Sequence, residues 1–144
     1  MAKEYDEDYY NLQSEKENNE NQQRECRNEI DDIEQKIERL REAYNTIDAA
    51  KESIGQIRNL NTNTPDFFCD VWKGSRAEYF FEICESGELK SSYSDYISRI
   101  DEIEDAINWE IYNLDTQKNE KYGILSGLLD AWDRVWTEIQ NYVN

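Results

Sequence analysis

From Cys26 the apolar residues Ile30, Ile33, Ile37, Leu40, Tyr44, Ile47 and Ile54 follow at spacings of 4, 3, 4, 3, 4, 3 and 7. A mean step near 3.5 keeps side chains on one narrow stripe of an α-helix, and such a stripe is buried by packing against another helix. Carried toward the N-terminus, the same phase meets Lys16, Asn19 and Gln23 before it reaches Tyr5, Tyr9 and Leu12. The seam thus has apolar ends and a polar middle. Polar seam positions cost stability and can set register or partner choice, so this middle is expected to be weakly paired, or to mark where the facing helix runs out. A helix over about residues 5–59 would extend roughly 80 Å at about 1.5 Å per residue, far beyond a compact globule of this size.

The stretch NLNTNTPDFF, residues 59–68, ends that helix. Asn and Thr compete with the helical backbone for hydrogen bonds, and the residue before proline avoids the α region. A turn is expected over 60–64. Thr64 then serves as N-cap, with Pro65 at the first helical position and Asp66 in the first turn of a second helix over about 65–117. Its apolar stripe is read through Val71, Phe80, Ile83, Tyr93, Ile97, Ile100, Ile103, Ile107, Ile111 and Leu114, and ESGELKSS (residues 85–92) leaves a kink or break open at Gly87. A third run, Tyr122, Leu125, Leu129, Trp132, Trp136, Ile139 and Val143, is spaced 3, 4, 3, 4, 3 and 4 and predicts a C-terminal helix over about 119–143. Gly123 and Gly127 loosen the join without a decisive stop. No β-alternation competes. The expected fold is therefore all-α: one domain over residues 1–144, an elongated antiparallel helical hairpin with a C-terminal helical extension.

Composition excludes several functions. The 33 Asp and Glu against 16 Lys and Arg give a net charge of −17, which repels nucleic acid and anionic membranes and leaves a basic protein as an admissible partner. Four Trp, ten Tyr and four Phe supply apolar area that a disordered acidic tail lacks. No run of 18 apolar residues exists, so no membrane insertion is expected. The opening MAKEYDEDYYNLQSEKENN contains no apolar h-region, so any export is expected to proceed without a cleaved signal peptide. With no histidine in the chain, the commonest general base and metal ligand are missing. The clusters YDEDYY, EIDDIEQ and RIDEIEDAI do not match a calcium loop, and no GxSxG, HExxH or phosphate-cradling glycine loop occurs. Cys26, Cys69 and Cys84 show neither CxxC spacing nor an even disulfide count. No catalytic residue, cofactor or metal site is expected.

Between the long helical patterns lies VWKGSRAEYF, residues 71–80. Trp72, Lys73 and Gly74 form a WxG near the turn, which resembles the WXG superfamily of small helical-hairpin proteins exported by type VII secretion systems. The longer pattern W-x-G-[ST]-[KR]-A-x-x-F, carried by Trp72, Gly74, Ser75, Arg76, Ala77 and Phe80, is similar to the YwqH-like proteins of Gram-positive bacteria, which are encoded beside LXG-domain toxins. Those relatives share this layout of long first helix, WxG near the bend and long C-terminal helical part. The resemblance covers the whole chain in architecture, and in motif only residues 72–80. A bland reading of WxG is a Trp packed under a turn with Gly giving it room. One departure is the YxxxD/E export signal of minimal WXG partners. In YNTID, Tyr44 to Asp48 lie in helix one, where Tyr44 reads as core, and FEICE, Phe81 to Glu85, follows the WxG directly.

What the resemblance implies is a non-enzymatic partner or targeting chaperone of an LXG-type toxin. It would bind the toxin's N-terminal helical region, with room for a second small helical partner, and reach the secretion ATPase only indirectly. It would be cytoplasmic before export and then secreted or at the cell surface. Trp72, Gly74, Phe80, Trp132 and Trp136 are the candidate partner-binding and export residues. The alternatives are a self-assembling structural coiled coil and an acidic inhibitor mimicking nucleic acid. For the C-terminal run two readings stay open: packing back onto helix one near Tyr5, Tyr9 and Leu12, or a partly open face that receives the partner's helices.

Overall fold

The computed structural model describes residues 7–62, 74, 76, 78, 79 and 87–144. Among these there are two long helices, α1 (Glu7–Thr62) and α2 (Glu88–Val143), and no strand, so the protein is an all-α helical hairpin. Each helix opens with acids in its first turn, Glu7 and Asp8 in α1 and Glu88 in α2, which complement the positive end of the helix dipole. Residues 80–86 lie outside the described residues, and the described helix α2 begins directly after Gly87. The Gly87 φ of 77° lies in the left-handed region that favours glycine, and the Gly87 carbonyl accepts the first helical bond of α2 from Ser91 N at 2.7 Å. The C-terminal helix expected from about residue 119 is not a separate element, because α2 continues unbroken through Gly123 and Gly127. Each glycine costs about 1 kcal/mol in a helix interior, and burial of Leu125 with partial burial of Leu128 offsets that. The turn expected over 60–64 does not begin at 60, since α1 continues to Thr62; residues 63 and 64, the expected start of a helix at Pro65, and Cys69 and Cys84 lie outside the described residues.

The chain divides into two compact units, Met1–Glu38 with Tyr112–Asn144 and Arg39–Ile111. In the first, Cys26, Ile30, Ile33, Ile37, Leu114, Leu125, Val135 and Ile139 are buried. The polar middle of the seam is buried as well: Asn19 and Gln23 are each 8% exposed. Asn19 Nδ2 donates to the Leu128 carbonyl at 2.9 Å, and Gln23 Nε2 donates to Asn19 Oδ1 at 2.6 Å. The facing helix does not run out here, and this layer is paired. Its amides satisfy each other and the α2 backbone, which removes most of the penalty of burying them.

In the second unit α1 contributes Leu40, Tyr44, Ile47, Lys51 and Ile54 to the seam, and α2 contributes Tyr93, Ile97, Ile100, Glu104, Ile107 and Ile111. Ile103, read as core from its apolarity, is 50% exposed, whereas its neighbour Glu104 is 4% exposed. The 4–3 phase through Ile100 and Ile107 demands residue 104, and α1 answers the carboxylate. Lys51 Nζ lies 3.0 Å from Glu104 Oε1 and 2.9 Å from Asp101 Oδ1. These partners, Asp101 first and then Glu104, hold the Lys51 ammonium well above the ordinary lysine range. Folding thus favours the protonated lysine, so this stabilisation is complete below the ordinary lysine value of 10.5 and fades as pH rises above it. Tyr44, read as core rather than as an export signal, is half-buried on this seam. Its hydrogen bond to Glu104 pushes the phenol up.

The register is directly testable. Ile30→Ala and Ile139→Ala, at 5% and 3% exposure, are each expected to cost about 3 kcal/mol of unfolding free energy. Ile103→Ala, at 50% exposure, is expected to cost less than about 1 kcal/mol. Denaturant titration of the three variants measures this, and an Ile103 penalty equal to the other two would move the seam onto residue 103.

Candidate functional site

The two heptad series of the C-terminal part separate in the structure. Lys121, Leu125, Leu128, Trp132, Val135, Ile139 and Tyr142 form the seam against α1, with Val135 only 1% exposed. Cys26 Sγ donates to the Lys121 carbonyl at 3.2 Å, and the Tyr9 and Tyr142 rings meet at 5.6 Å between centroids. Packing onto helix one therefore holds. Beside this seam, one residue on, lie Tyr122, Leu129, Trp136 and Val143, exposed by 46, 39, 38 and 44%. Their spacing of seven puts them in a single row along α2. The open face is thus also present, made of different residues from those closing the core. The expected stripe merged both rows because Leu125, Trp132 and Ile139 fall in either phase, and because the lysine at 121 conceals where the seam runs.

Trp132 and Trp136 join the two rows. Their rings stack at 5.7 Å with an interplanar angle of 14°. Lys16 of α1 occupies a seam position yet keeps its ammonium at the surface, 5.9 Å from the Trp132 ring, 5.6 Å from the Trp136 ring and 3.0 Å from Glu20. Trp132 Nε1 also donates to Glu20 Oε1 at 3.1 Å. The Trp132 hydrogen bond first and Lys16 second lower the Glu20 carboxyl below its ordinary value of 4.5. One tryptophan is thereby fixed by core packing and a carboxylate. The other, stacked on it, is 38% exposed, the partly open state found at interface anchors.

Of the motif residues near the turn, Trp72 and Phe80 lie outside the described residues. Gly74 is exposed, with φ of 120°, and its carbonyl accepts a hydrogen bond from Glu78 N at 2.9 Å. A Cβ at that position would meet nothing within 4 Å, so glycine is demanded by the backbone conformation and not by lack of room. Grooves of about 250 Å³ beside Cys26, Ile124 and Leu128 and about 280 Å³ beside Tyr44, Asn108 and Ile111 fall below the roughly 300–1,000 Å³ of ligand pockets. Among the described residues no group of His, Cys, Asp or Glu is arranged to hold a metal ion, and no helix is long and apolar enough to cross a membrane.

The sequence pattern of the YwqH-like family matches residues 14–128. No curated protein and no solved structure matches the chain.

The link from Glu20 to Trp132 has a pH signature. Because the folded-state pKa of Glu20 is lowered, its contribution is present above the ordinary value of 4.5 and is lost as pH falls through the depressed one. Trp132 fluorescence, read in a variant whose other tryptophans are Phe, should hold steady down to the ordinary carboxylate range and change only below it. Glu20→Gln should abolish that acid transition, and a transition unchanged by Glu20→Gln would contradict the assignment.

Proposed function

The chain belongs to the YwqH-like family, and we propose that it acts as a non-enzymatic helical partner of an LXG-domain toxin, binding the toxin's N-terminal helical region for export through a type VII secretion system. The observation that carries this reading is the row Tyr122, Leu129, Trp136 and Val143, exposed beside a seam that is already closed. A self-sufficient hairpin has no need of large apolar side chains there, and a row at heptad spacing is what a further helix reads. Family membership is consistent with this kind of partner, and the row offers a means of binding it. A second small helical partner and indirect contact with the secretion ATPase belong to the same proposal, as does the WxG at Trp72 and Gly74 as part of the recognised surface. In this reading the protein is cytoplasmic until it is exported with, or releases, the toxin.

The alternatives fit less well. An acidic mimic of nucleic acid would present carboxylates rather than an aromatic row, and a homopolymer would bring surfaces of net charge −17 together.

Co-purification with the toxin's N-terminal region tests the proposal. Leu129→Ser/Trp136→Ser should reduce capture at least about tenfold, as loss of interface anchors does, with circular dichroism and melting little changed. Trp72→Ala should reduce toxin export more than it reduces folding. Full capture by the double variant would remove the proposed surface, and unchanged export in Trp72→Ala would remove the WxG from it.

A further inference from the structure

The exposed row has an acidic rim, and among the described residues Glu20 alone of its carboxylates stands in an ion pair, with Lys16. Tyr122 Oη donates to Glu34 Oε1 at 3.1 Å and Trp132 Nε1 to Glu20 Oε1 at 3.1 Å, which puts these two carboxylates of α1 at the edge of the row. Glu17 and Asp31 stand three residues before them on the same side of α1, exposed, and Asp133 is exposed on α2 between Leu129 and Trp136. Arg24 and Arg27 are the basic residues interspersed on this bank. Among the described residues, the ion pairs of this unit are Lys16–Glu20, Lys118–Asp115, Lys121–Glu29 and Arg134–Glu15. On the opposite edge of the helix pair Glu15 and Glu29 are answered by Arg134 and Lys121, while Glu25 and Asp32 stand exposed and in no ion pair. On the edge that carries the row, Glu17, Asp31, Glu34 and Asp133 stand in no such pair.

From an exposed apolar row bordered by carboxylates in no ion pair we infer that Tyr122, Leu129, Trp136 and Val143 are the seat of an amphipathic partner helix whose apolar heptad stripe is flanked by lysine and arginine. The inference rests on the proposed function and adds the chemistry of the partner. The row runs from residue 122 to residue 143, about 32 Å of helix at 1.5 Å per residue. Engaging all four anchors thus takes a partner helix of about six turns. Cationic flanks would pair with the rim carboxylates, speed encounter and reject acidic helices, among them a second copy of this chain. Lys16 already shows the local chemistry, since its ammonium is held by Glu20 and by the faces of both tryptophans.

The test uses the full chain and synthetic helices of about 28 residues, with leucine at the heptad a and d positions and either lysine or glutamate at e and g. A lysine-flanked control has its leucines scrambled. Calorimetry should show the patterned lysine helix binding at least about tenfold more tightly than the glutamate helix or the control, with affinity falling as salt rises from about 0.05 to 0.5 M. Glu17→Lys/Glu34→Lys should weaken that binding about tenfold. Glu25→Lys/Asp32→Lys, an equal charge change on the other edge of α1, should leave it within about twofold, with both variants melting like the parent. Equal weakening by the two pairs, or equal binding of the lysine and glutamate helices, would overturn the inference. Toxin capture distinguishes the levels: loss in Leu129→Ser/Trp136→Ser but none in Glu17→Lys/Glu34→Lys overturns the charged partner alone, whereas capture surviving Leu129→Ser/Trp136→Ser overturns the function beneath it.

Discussion

The alternating step of three and four residues along α1 and α2 governs the rest of the structure. It obliges each helix to show the same narrow stripe to its neighbour over many turns, whatever residue happens to occupy a given place. Where that place holds isoleucine or leucine, burial stabilises the pair. Where it holds a polar side chain, the layer must find its own partners. In one unit Asn19 and Gln23 do so through each other and the Leu128 carbonyl. In the other, Glu104 does so through Lys51 and Tyr44. Such layers add little net stability, because desolvation opposes the gain in electrostatics and hydrogen bonding. They act on specificity, since a slip of either helix by one heptad would bury the amides or the carboxylate against apolar neighbours.

A strict seam also decides what is left outside it. Two helices in contact bury their a and d positions fully and the flanking positions only in part, so large apolar residues at those flanks stay accessible. Most flanking places in this chain carry Glu, Asp, Arg, Asn or Gln. The row at Tyr122, Leu129, Trp136 and Val143 departs from that rule as a continuous series, whereas Tyr96, Ile103 and Ile124 are exposed at other flanking places. In the proposed reading this series is the surface that meets the partner. The mixed state of Trp132 and Trp136, one anchored and one presented, gives that surface a rigid aromatic support.

Much of this architecture was legible from residue types. The unbroken isoleucine series of α1 identified its seam, and the absence of proline after Pro65 left room for the length of α2. Register in α2 was harder to read for a physical reason. Glu104 and Lys121 fill seam positions while Ile103 and Tyr122 stand next to them, and apolarity alone selects the wrong member of each pair. The lysine stem and the paired carboxylate are buried through contacts with α1, which no single-helix pattern contains. The buried amides at Asn19 and Gln23 were misjudged likewise, since their satisfaction depends on a carbonyl 109 residues away. Of the WxG motif, Gly74 is explained by its positive φ, and the export role of Trp72 stays with the proposal. The spacing of 4, 3, 4, 3, 4 and 3 from Lys121 to Tyr142 separates the seam from the row beside it.

The central claim is that the row beside the closed seam receives the partner. Photo-cross-linking in a producing cell tests it most directly, with a photoreactive phenylalanine analogue placed at position 129 in one strain and at position 102, exposed on the outer side of α2, in another. The account predicts a covalent product with the toxin's N-terminal region from position 129 and none from position 102. Equal yields from both positions, or a product from position 102 alone, would contradict it.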